Sequence, residues 1–184
     1  TLKDNGTSLT RMDGFAFSAY DGIFSWMRNI TVRDNKCLTP LSGRSFFGNM
    51  ENCQFGGNMW WADGSEYSAA YLSNLIGCNI RDDQYILDGS SSNYALTVTS
   101  SGGMPCEDNK LNGVRIDPRT TGNGNGVIFL GSTVKKNTIR DGFVARTGTG
   151  TPFGESSGAS GNKLVNTKYS GTPDQTDQYL NYPL

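Results

Sequence analysis

The stretch KNTIRDGFVAR, residues 136–146, decides the fold because its pattern occurs again on either side of it. Residues 109–118, NKLNGVRIDP, and residues 162–171, NKLVNTKYSG, also place Leu or Ile two positions after an Asn, with another apolar residue five positions further on. A chain that repeats one local pattern at intervals is built from successive similar units.

Three more copies, without the leading Asn, occur towards the N-terminus. In eight-residue segments the third position is always Asn, Gly or Asp, residues that tolerate a left-handed backbone or form local turn hydrogen bonds. Positions four and six are mostly apolar and positions five and seven mostly polar, so each segment predicts a strand, a sharp bend and a second strand. The segments are MRNITVRD (27–34), MENCQFGG (50–57), LIGCNIRD (75–82), LNGVRIDP (111–118), IRDGFVAR (139–146) and LVNTKYSG (164–171).

These segments begin 23, 25, 36, 28 and 25 residues apart. A recurrence near 25 residues indicates a solenoid, in which each unit buries its apolar face against its neighbours. The chain lacks both the apolar spacing of helical repeats and the LxxLxL of leucine-rich repeats. The 36-residue interval predicts about ten inserted residues within 90–109, although alternating apolar residues from Tyr94 to Val98 also favour a strand there.

Composition agrees with one all-β domain. The chain has 184 residues, 35% of them hydrophobic, and its 24 glycines punctuate it with turn signals. Sixteen basic and seventeen acidic residues give a net charge of −1, and no run of Lys and Arg suited to a phosphate backbone occurs. We therefore expect no nucleic-acid partner, and the absence of long apolar runs predicts no membrane insertion.

The rung pattern N-x-[IL]-x-[NGD]-x-x-[IVY], at about 25 residues per turn, resembles the right-handed parallel β-helix of the pectin-lyase-like superfamily and of bacteriophage tailspikes. The resemblance covers residues 25–171. Residues 1–24, which contain MDGFAF, are interpreted as a partial rung or N-terminal cap, and residues 172–184 as a tail that caps the solenoid or contacts another subunit. The resemblance implies a homotrimer in a virion tail, assembled in the host cytoplasm; a secreted protein is the alternative.

Histidine is absent from the chain, which removes Ser-His-Asp and Cys-His nucleophile systems and His-ligated metal sites. The Gly-His-Gly of the related polygalacturonases is absent too, and Arg115 and Arg119 do not match the Arg-Pro-Arg of pectate lyases. Acid/base chemistry by carboxylates remains, and tailspikes of this resemblance generally use it to cut surface polysaccharide. We predict neither a metal site nor a cofactor.

Asp34 and Asp82 are the first catalytic candidates. Both occupy the eighth position of their segments, and Gly57 occupies that position in the segment between them. Two rung steps of about 4.8 Å place their backbones about 9.6 Å apart, near the upper limit for an inverting pair of carboxylates. The alternative is that an Asp after a strand forms a turn and nothing more. Asp83 and Asp88 are further candidates.

Residues 58–71, NMWWADGSEYSAAY, predict a loop that carries aromatic side chains beside carboxylates. Aromatic faces pack on the apolar faces of sugar rings while carboxylates accept hydrogen bonds from hydroxyls. We also expect one of the two tryptophans to fill the core instead. The substrate-binding candidates are Trp60, Trp61, Tyr67 and Tyr71, and the loop adds Asp63 and Glu66 as catalytic candidates.

The four cysteines show neither CxxC pairs nor zinc-like spacing. Cys53 and Cys78 share position four of adjacent segments, so we expect them to stack inside the solenoid as reduced, small apolar groups.

Three functions remain open. The first is a tailspike or tail-fibre fragment that binds, and in one version hydrolyses, a bacterial surface polysaccharide. The second is a structural or adhesion module without catalysis, in which both tryptophans are buried and Asp34, Asp82 and Asp83 serve only turns and ion pairs. The third is a secreted polysaccharide lyase.

Overall fold

The computed structural model describes residues 16–18, 26–41, 45–64, 68–88, 93–120, 122–156, 158–170 and 180–183, with the backbone alone for 16–18, 38–41, 45–47, 63–64 and 180–183. All regular elements in this part of the chain are strands. They are β1 (Ala16–Ser18), β2 (Met27–Arg28), β3 (Thr31–Arg33), β4 (Lys36–Leu41), β5 (Ser45–Glu51), β6 (Gln54–Gly56), β7 (Met59–Gly64), β8 (Ala70–Ile76), β9 (Asn79–Arg81), β10 (Gln84–Asp88), β11 (Tyr94–Thr99), β12 (Cys106–Glu107), β13 (Lys110–Asn112), β14 (Arg115–Pro118), β15 (Asn125–Leu130), β16 (Val134–Lys135), β17 (Thr138–Arg140), β18 (Phe143–Val144), β19 (Phe153–Ser156), β20 (Lys163–Tyr169) and β21 (Leu180–Pro183).

The strands pair in parallel with their counterparts one turn away and form a β-solenoid of about 5 turns, which confirms the predicted fold class. Three faces repeat. The short stack consists of β3, β6, β9, β13, β17 and the first half of β20; the long stack consists of β4, β7, β10, β14, β18 and the second half of β20. The second sheet consists mainly of β5, β8, β11, β15 and β19.

Two sharp corners flank every strand of the short stack, five residues apart. The first-corner residue precedes the strand by two positions, and the second-corner residue follows it directly. All twelve corner residues have a positive φ, between 47° and 68°, and all but Lys136 are Gly, Asn or Asp, the residues that adopt this conformation most readily. They are Asn29, Asn52, Gly77, Asp108, Lys136 and Gly161 at the first corner, and Asp34, Gly57, Asp82, Gly113, Asp141 and Asn166 at the second.

The presence of two similar corners explains one error in the comparison of the six eight-residue segments. That comparison places Leu111 and Leu75 at the same position, but Leu111 pairs with Ile80. The last three segments are therefore shifted by five residues relative to the first three. Each corner consists of a left-handed residue followed by an inward-pointing one, and the same local pattern therefore occurs twice in every turn. The predicted bends are confirmed at all six third positions, although they belong to different corners.

The strand pairing also shows that the insertion predicted within residues 90–109 is shorter than ten residues. Three positions separate Ser73 from Ile76, whereas eight separate their partners Thr99 and Glu107, so the insertion is five residues long. It contains the turn at Gly102. The strand interpretation of residues 94–98 is confirmed, because β11 lies between β8 and β15 in the second sheet.

The core fills the inside of the solenoid with rows of apolar side chains. In the short stack the central residue of every strand is at most 3% exposed, and full burial of each such side chain contributes about 1.5–3 kcal/mol. The long stack adds larger inward groups, among them Trp60 and Tyr85. The short-stack row consists of Val32, Phe55, Ile80, Leu111, Ile139 and Leu164.

Amide ladders line the inside of both corners. Asn58 receives a hydrogen bond from the backbone N–H of Asn35, one turn earlier, at 3.1 Å, and its own N–H donates to Asp83 at 2.9 Å. At the first corner a second ladder runs through Asn109, Asn137 and Asn162 in the later turns. These side chains satisfy backbone groups that the bends remove from the sheets, so the corners are rigid.

Both chain ends contribute strands to the sheets. β1 pairs with β5 through Ala16 and Phe46, and β21 pairs with β20 through Leu180 and Val165. The side chains of the C-terminal tail, residues 172–184, for which a capping role or a subunit contact is predicted, lie outside the described part of the chain.

Candidate functional site

A surface groove of about 690 Å³ crosses the first three strands of the short stack and their second corners. Asp34 and Asp82 both line it, with Gly57 on the turn between them, as their shared sequence position predicted. Oδ1 of Asp34 lies 3.0 Å from the point where a Cβ of Gly57 would be. A side chain at position 57 would therefore crowd this carboxylate, which extends over the middle turn.

The floor of the groove is a pair of glycines. Gly56 precedes Gly57, and Nε of Arg33 lies 3.6 Å from the position of a Cβ on Gly56. Arg81 lines the opposite side of the groove. An exposed guanidinium and carboxylate therefore flank the glycine floor on each side. Their backbones are about two rung steps, or about 9.6 Å, apart, and their side chains offer hydrogen-bond donors and acceptors.

The sequence interpretation missed the two arginines. Their signal is the dipeptide Arg-Asp, which occurs at residues 33–34, 81–82 and 140–141, each time at the end of a short-stack strand. In the repeat pattern the Asp counts only as a turn residue and the Arg before it only as a polar residue. Its recurrence at every second turn is the feature that would have identified both sides of the groove.

Asp83 lies inside the solenoid and is fully buried. Its carboxylate accepts hydrogen bonds from the backbone and side-chain nitrogens of Asn58, at 2.9 and 3.0 Å, and from Nε1 of Trp60 at 3.1 Å. Burial raises the pKa of Asp83 to about 7, and these hydrogen bonds partly offset that effect. Asp83 and the predicted sugar contact Trp60 are thus core groups, separated from the groove.

Trp61 lies on the outer face of the long stack, where it is half-buried. Its Nε1 donates a hydrogen bond of 2.6 Å to Oδ2 of Asp88, which fixes the indole ring beside a carboxylate. The expectation that one tryptophan fills the core and the other does not is confirmed. In the backbone register Asp63 lies opposite Asp88, one turn earlier.

The remaining aromatic candidates do not form one platform with Trp61. Residues 59–64 form strand β7, so the predicted loop is wrong over that range, and Tyr71 lies half-buried in β8 of the second sheet. Glu66 and Tyr67 lie outside the described residues.

The cysteines are free and buried, as expected. Cys53 and Cys78 precede paired strands one turn apart, at adjacent first corners. A hydrogen bond with Cys53, together with burial, raises the pKa of Cys78, and burial raises the pKa of Cys106 to about 12. Cys78 and Cys106 are therefore neutral packing groups and weak nucleophiles, whereas the hydrogen bond with Cys78 lowers the pKa of Cys53 to about 7.

The described part of the chain contains no group of three His, Cys, Asp or Glu side chains placed to hold an ion. Within the same residues no helix has the length and apolar character that a membrane span requires.

The molecule is thus a parallel β-solenoid with a charged groove over its first three turns. The chain matches no protein-family model, no curated protein and no solved structure. The similarity to tailspikes and pectin lyases therefore rests on the rung pattern and the solenoid architecture alone.

Proposed function

We propose that the chain binds a bacterial surface polysaccharide, as part of a phage tailspike or tail fibre. The observation that carries this proposal is the groove lined by Arg33 and Asp34 on the first turn, two glycines on the second, and Arg81 and Asp82 on the third. Polysaccharides present hydroxyl groups that both donate and accept hydrogen bonds, and neighbouring guanidinium and carboxylate groups are complementary to them.

The solenoid also suits a long ligand. Its turns repeat every 4.8 Å or so, and an extended sugar residue has about the same length. A polysaccharide that lies along the axis therefore meets equivalent positions of successive turns. Trp61, fixed by Asp88, provides a second contact of the type that sugar rings favour on the adjoining face.

Hydrolysis is a second candidate function, favoured by the presence of Asp34 and Asp82 in one groove. A backbone separation of about 9.6 Å is compatible with an inverting pair, in which one carboxyl group protonates the leaving oxygen and the other activates water. Both aspartates, however, have a φ of 56° at exposed corners, so turn formation alone accounts for their presence. Binding without cleavage, as in an adhesion module, is therefore the primary proposal.

A trimeric assembly and a place in the virion tail belong to the same proposal. Solution mass by light scattering tests them, and a mass of one chain would remove the tailspike assignment while leaving sugar binding open. A secreted lyase is the weakest alternative, because the groove holds carboxylates and arginines without the motifs of that class.

Binding is tested with a panel of purified capsule and O-antigen polysaccharides. Gly56→Gln fills the groove without backbone strain, because a Cβ there has only ordinary contacts, at 3.6 and 3.8 Å. The matched control is Val165→Gln, at the same strand position in the last turn of the short stack. Loss of binding in Gly56→Gln alone supports the groove, whereas equal binding by both variants refutes it.

Cleavage is measured on any bound polysaccharide as release of reducing ends. Loss of that activity in both Asp34→Asn and Asp82→Asn, with binding retained, assigns hydrolysis to the pair. Unchanged activity in either variant removes the pair from catalysis.

A further inference from the structure

The outer face of the short stack carries positive charge along almost its whole length. Five of its six strands contribute an exposed cation, and the sixth, β6, contributes only Gln54 and Gly56. The outward residues of the face include no acidic side chain, although acidic residues outnumber basic ones in the chain as a whole. We name this set the cationic strip: Arg33, Arg81, Lys110, Arg140 and Lys163.

The cations form two rows. Arg33, Arg81 and Arg140 share one register position at every second turn, which places them about 9.6 Å apart. Lys110 and Lys163 share the other outward position, also two turns apart, on the intervening turns. From the third turn onwards the strip therefore has one cation per turn on alternating sides.

Neutral residues separate the cations within each row. Gly56 and Asn112 lie between successive arginines, and Thr138 lies between the two lysines. Like charges directly opposite each other in a sheet are destabilising, so the alternation permits a high density of cations at low cost. The neutral groups are mostly amides and hydroxyls, which form hydrogen bonds with sugar hydroxyls.

No ion pair joins the strip to a carboxylate within the described part of the chain. Among the residues that the structure describes, ion pairs involve Arg28, Arg115 and Arg119, and none of them involves a member of the strip. Among the described residues, four corners beside the strip carry an aspartate: Asp34, Asp82 and Asp141 along one edge and Asp108 along the other. The grooves at these edges, of about 690 and 490 Å³, both open onto the strip.

We propose that the cationic strip binds a linear anionic polysaccharide, with its axis along the solenoid and its carboxylates against Arg81, Lys110, Arg140 and Lys163. This inference rests on the proposed function and names the class of polysaccharide. Guanidinium groups bind carboxylates in paired hydrogen bonds, and Lys adds point charges between them. A sugar chain that carries one carboxylate on each residue or on every second residue matches the spacing of the rows.

A nucleic acid fits this surface less well. Duplex DNA carries one charge per about 1.7 Å of its axis, far denser than one cation per turn of about 4.8 Å. Single strands bind on aromatic side chains, and the outward positions of the short stack carry none in its six strands.

Affinity electrophoresis of the full chain tests the inference. The probes are polygalacturonate, with a carboxylate on every residue, and hyaluronate, with one on every second residue; the matched neutral probes are the same polymers after carboxyl reduction. We expect retardation by the charged polymers, loss of retardation after reduction, and weakening at higher salt. The variant Arg81→Gln/Arg140→Gln should bind about tenfold more weakly. The control Lys36→Gln/Lys168→Gln removes the same charge from exposed residues of the long stack and should bind as the wild type does.

Each alternative outcome has a defined meaning. Equal retardation by charged and reduced polymers overturns the anionic assignment but leaves polysaccharide binding intact. Absence of retardation by both charged polymers also overturns the inference, while the capsule and O-antigen panel with Gly56→Gln decides the proposed function separately. Equal loss of binding in both double variants means that net charge, and not the strip, is responsible. Retardation by duplex DNA alone, sensitive to the strip variant, would assign the surface to nucleic acid.

Discussion

Replacement of Asp83 by Asn should remove a pH dependence from the stability of the protein. The pKa of the buried carboxyl is about 7 in the folded state against an ordinary value of 3.8. Between these values the folded state binds more protons at this site than the unfolded state does, so stability falls as pH rises from about 4 to about 7. The difference corresponds to about 4 kcal/mol when Asp83 is fully ionised, because one pKa unit is worth about 1.4 kcal/mol.

Urea unfolding of wild type and Asp83→Asn at pH 4 to 8 measures this effect. Asn has nearly the same shape as Asp, stays uncharged, and still accepts hydrogen bonds from Asn58 through its oxygen. Its NH2 group cannot accept the hydrogen bond from Nε1 of Trp60, which lowers the stability of the variant by an amount that does not depend on pH. Subtraction of the two curves cancels the groups that both proteins share. We expect the variant to gain relative stability steadily up to pH 7; curves that stay parallel across the whole range would refute the assigned pKa.

Three further predictions concern the corners and the core. Gly113→Ala should lower the free energy of unfolding by more than Gly102→Ala does. Both glycines have a positive φ, a conformation that costs a residue with a side chain about 1–2 kcal/mol. Only at Gly113 does an added Cβ also meet a neighbouring atom, Oδ1 of Asp82 at 2.5 Å. When the Asp82 side chain is also removed, the two alanine substitutions should lower the melting temperature equally. A difference that persists would show that the contact with Asp82 is not its cause. Asn137→Ala should cost about 3 kcal/mol or more in denaturant unfolding, because it leaves buried donors of Asn109 without their acceptor; a loss below 1 kcal/mol or so would show that the ladder is unimportant. The four thiols should react with Ellman's reagent only after unfolding, and rapid reaction of the native protein would contradict their burial.

The solenoid could be predicted from the sequence because its determinants are local. Every turn needs residues that adopt a left-handed backbone at fixed positions beside alternating apolar residues, and both signals lie within eight positions. The same locality caused the displacement of Leu111 by five residues. Two corners of similar chemistry flank each strand of the short stack, and only strand pairing distinguishes one corner from the other.

The candidate site was only partly predictable. Asp34 and Asp82 were brought together correctly, because their segments were in register, whereas Asp82 and Asp83 look equivalent in sequence yet one is exposed and the other fully buried. The cationic strip does not form a run of basic residues in the sequence, because members such as Arg81 and Arg140 are tens of residues apart in the chain. The sequence therefore does not reveal it. Stacking of turns, and not local sequence, creates this surface.

The amide ladders give the solenoid a polarity. Oδ1 of Asn137 accepts the backbone N–H of Asn109, and its Nδ2 donates to the carbonyl of Cys106, so both groups that it satisfies belong to the preceding turn. Asn58 and Asn162 reach back in the same way, to Val32 and Val134. Each turn thus leaves open groups that only the next turn closes. A chain that leaves the ribosome N-terminus first can add one turn at a time, because each formed turn presents the hydrogen-bonding groups that the next turn satisfies.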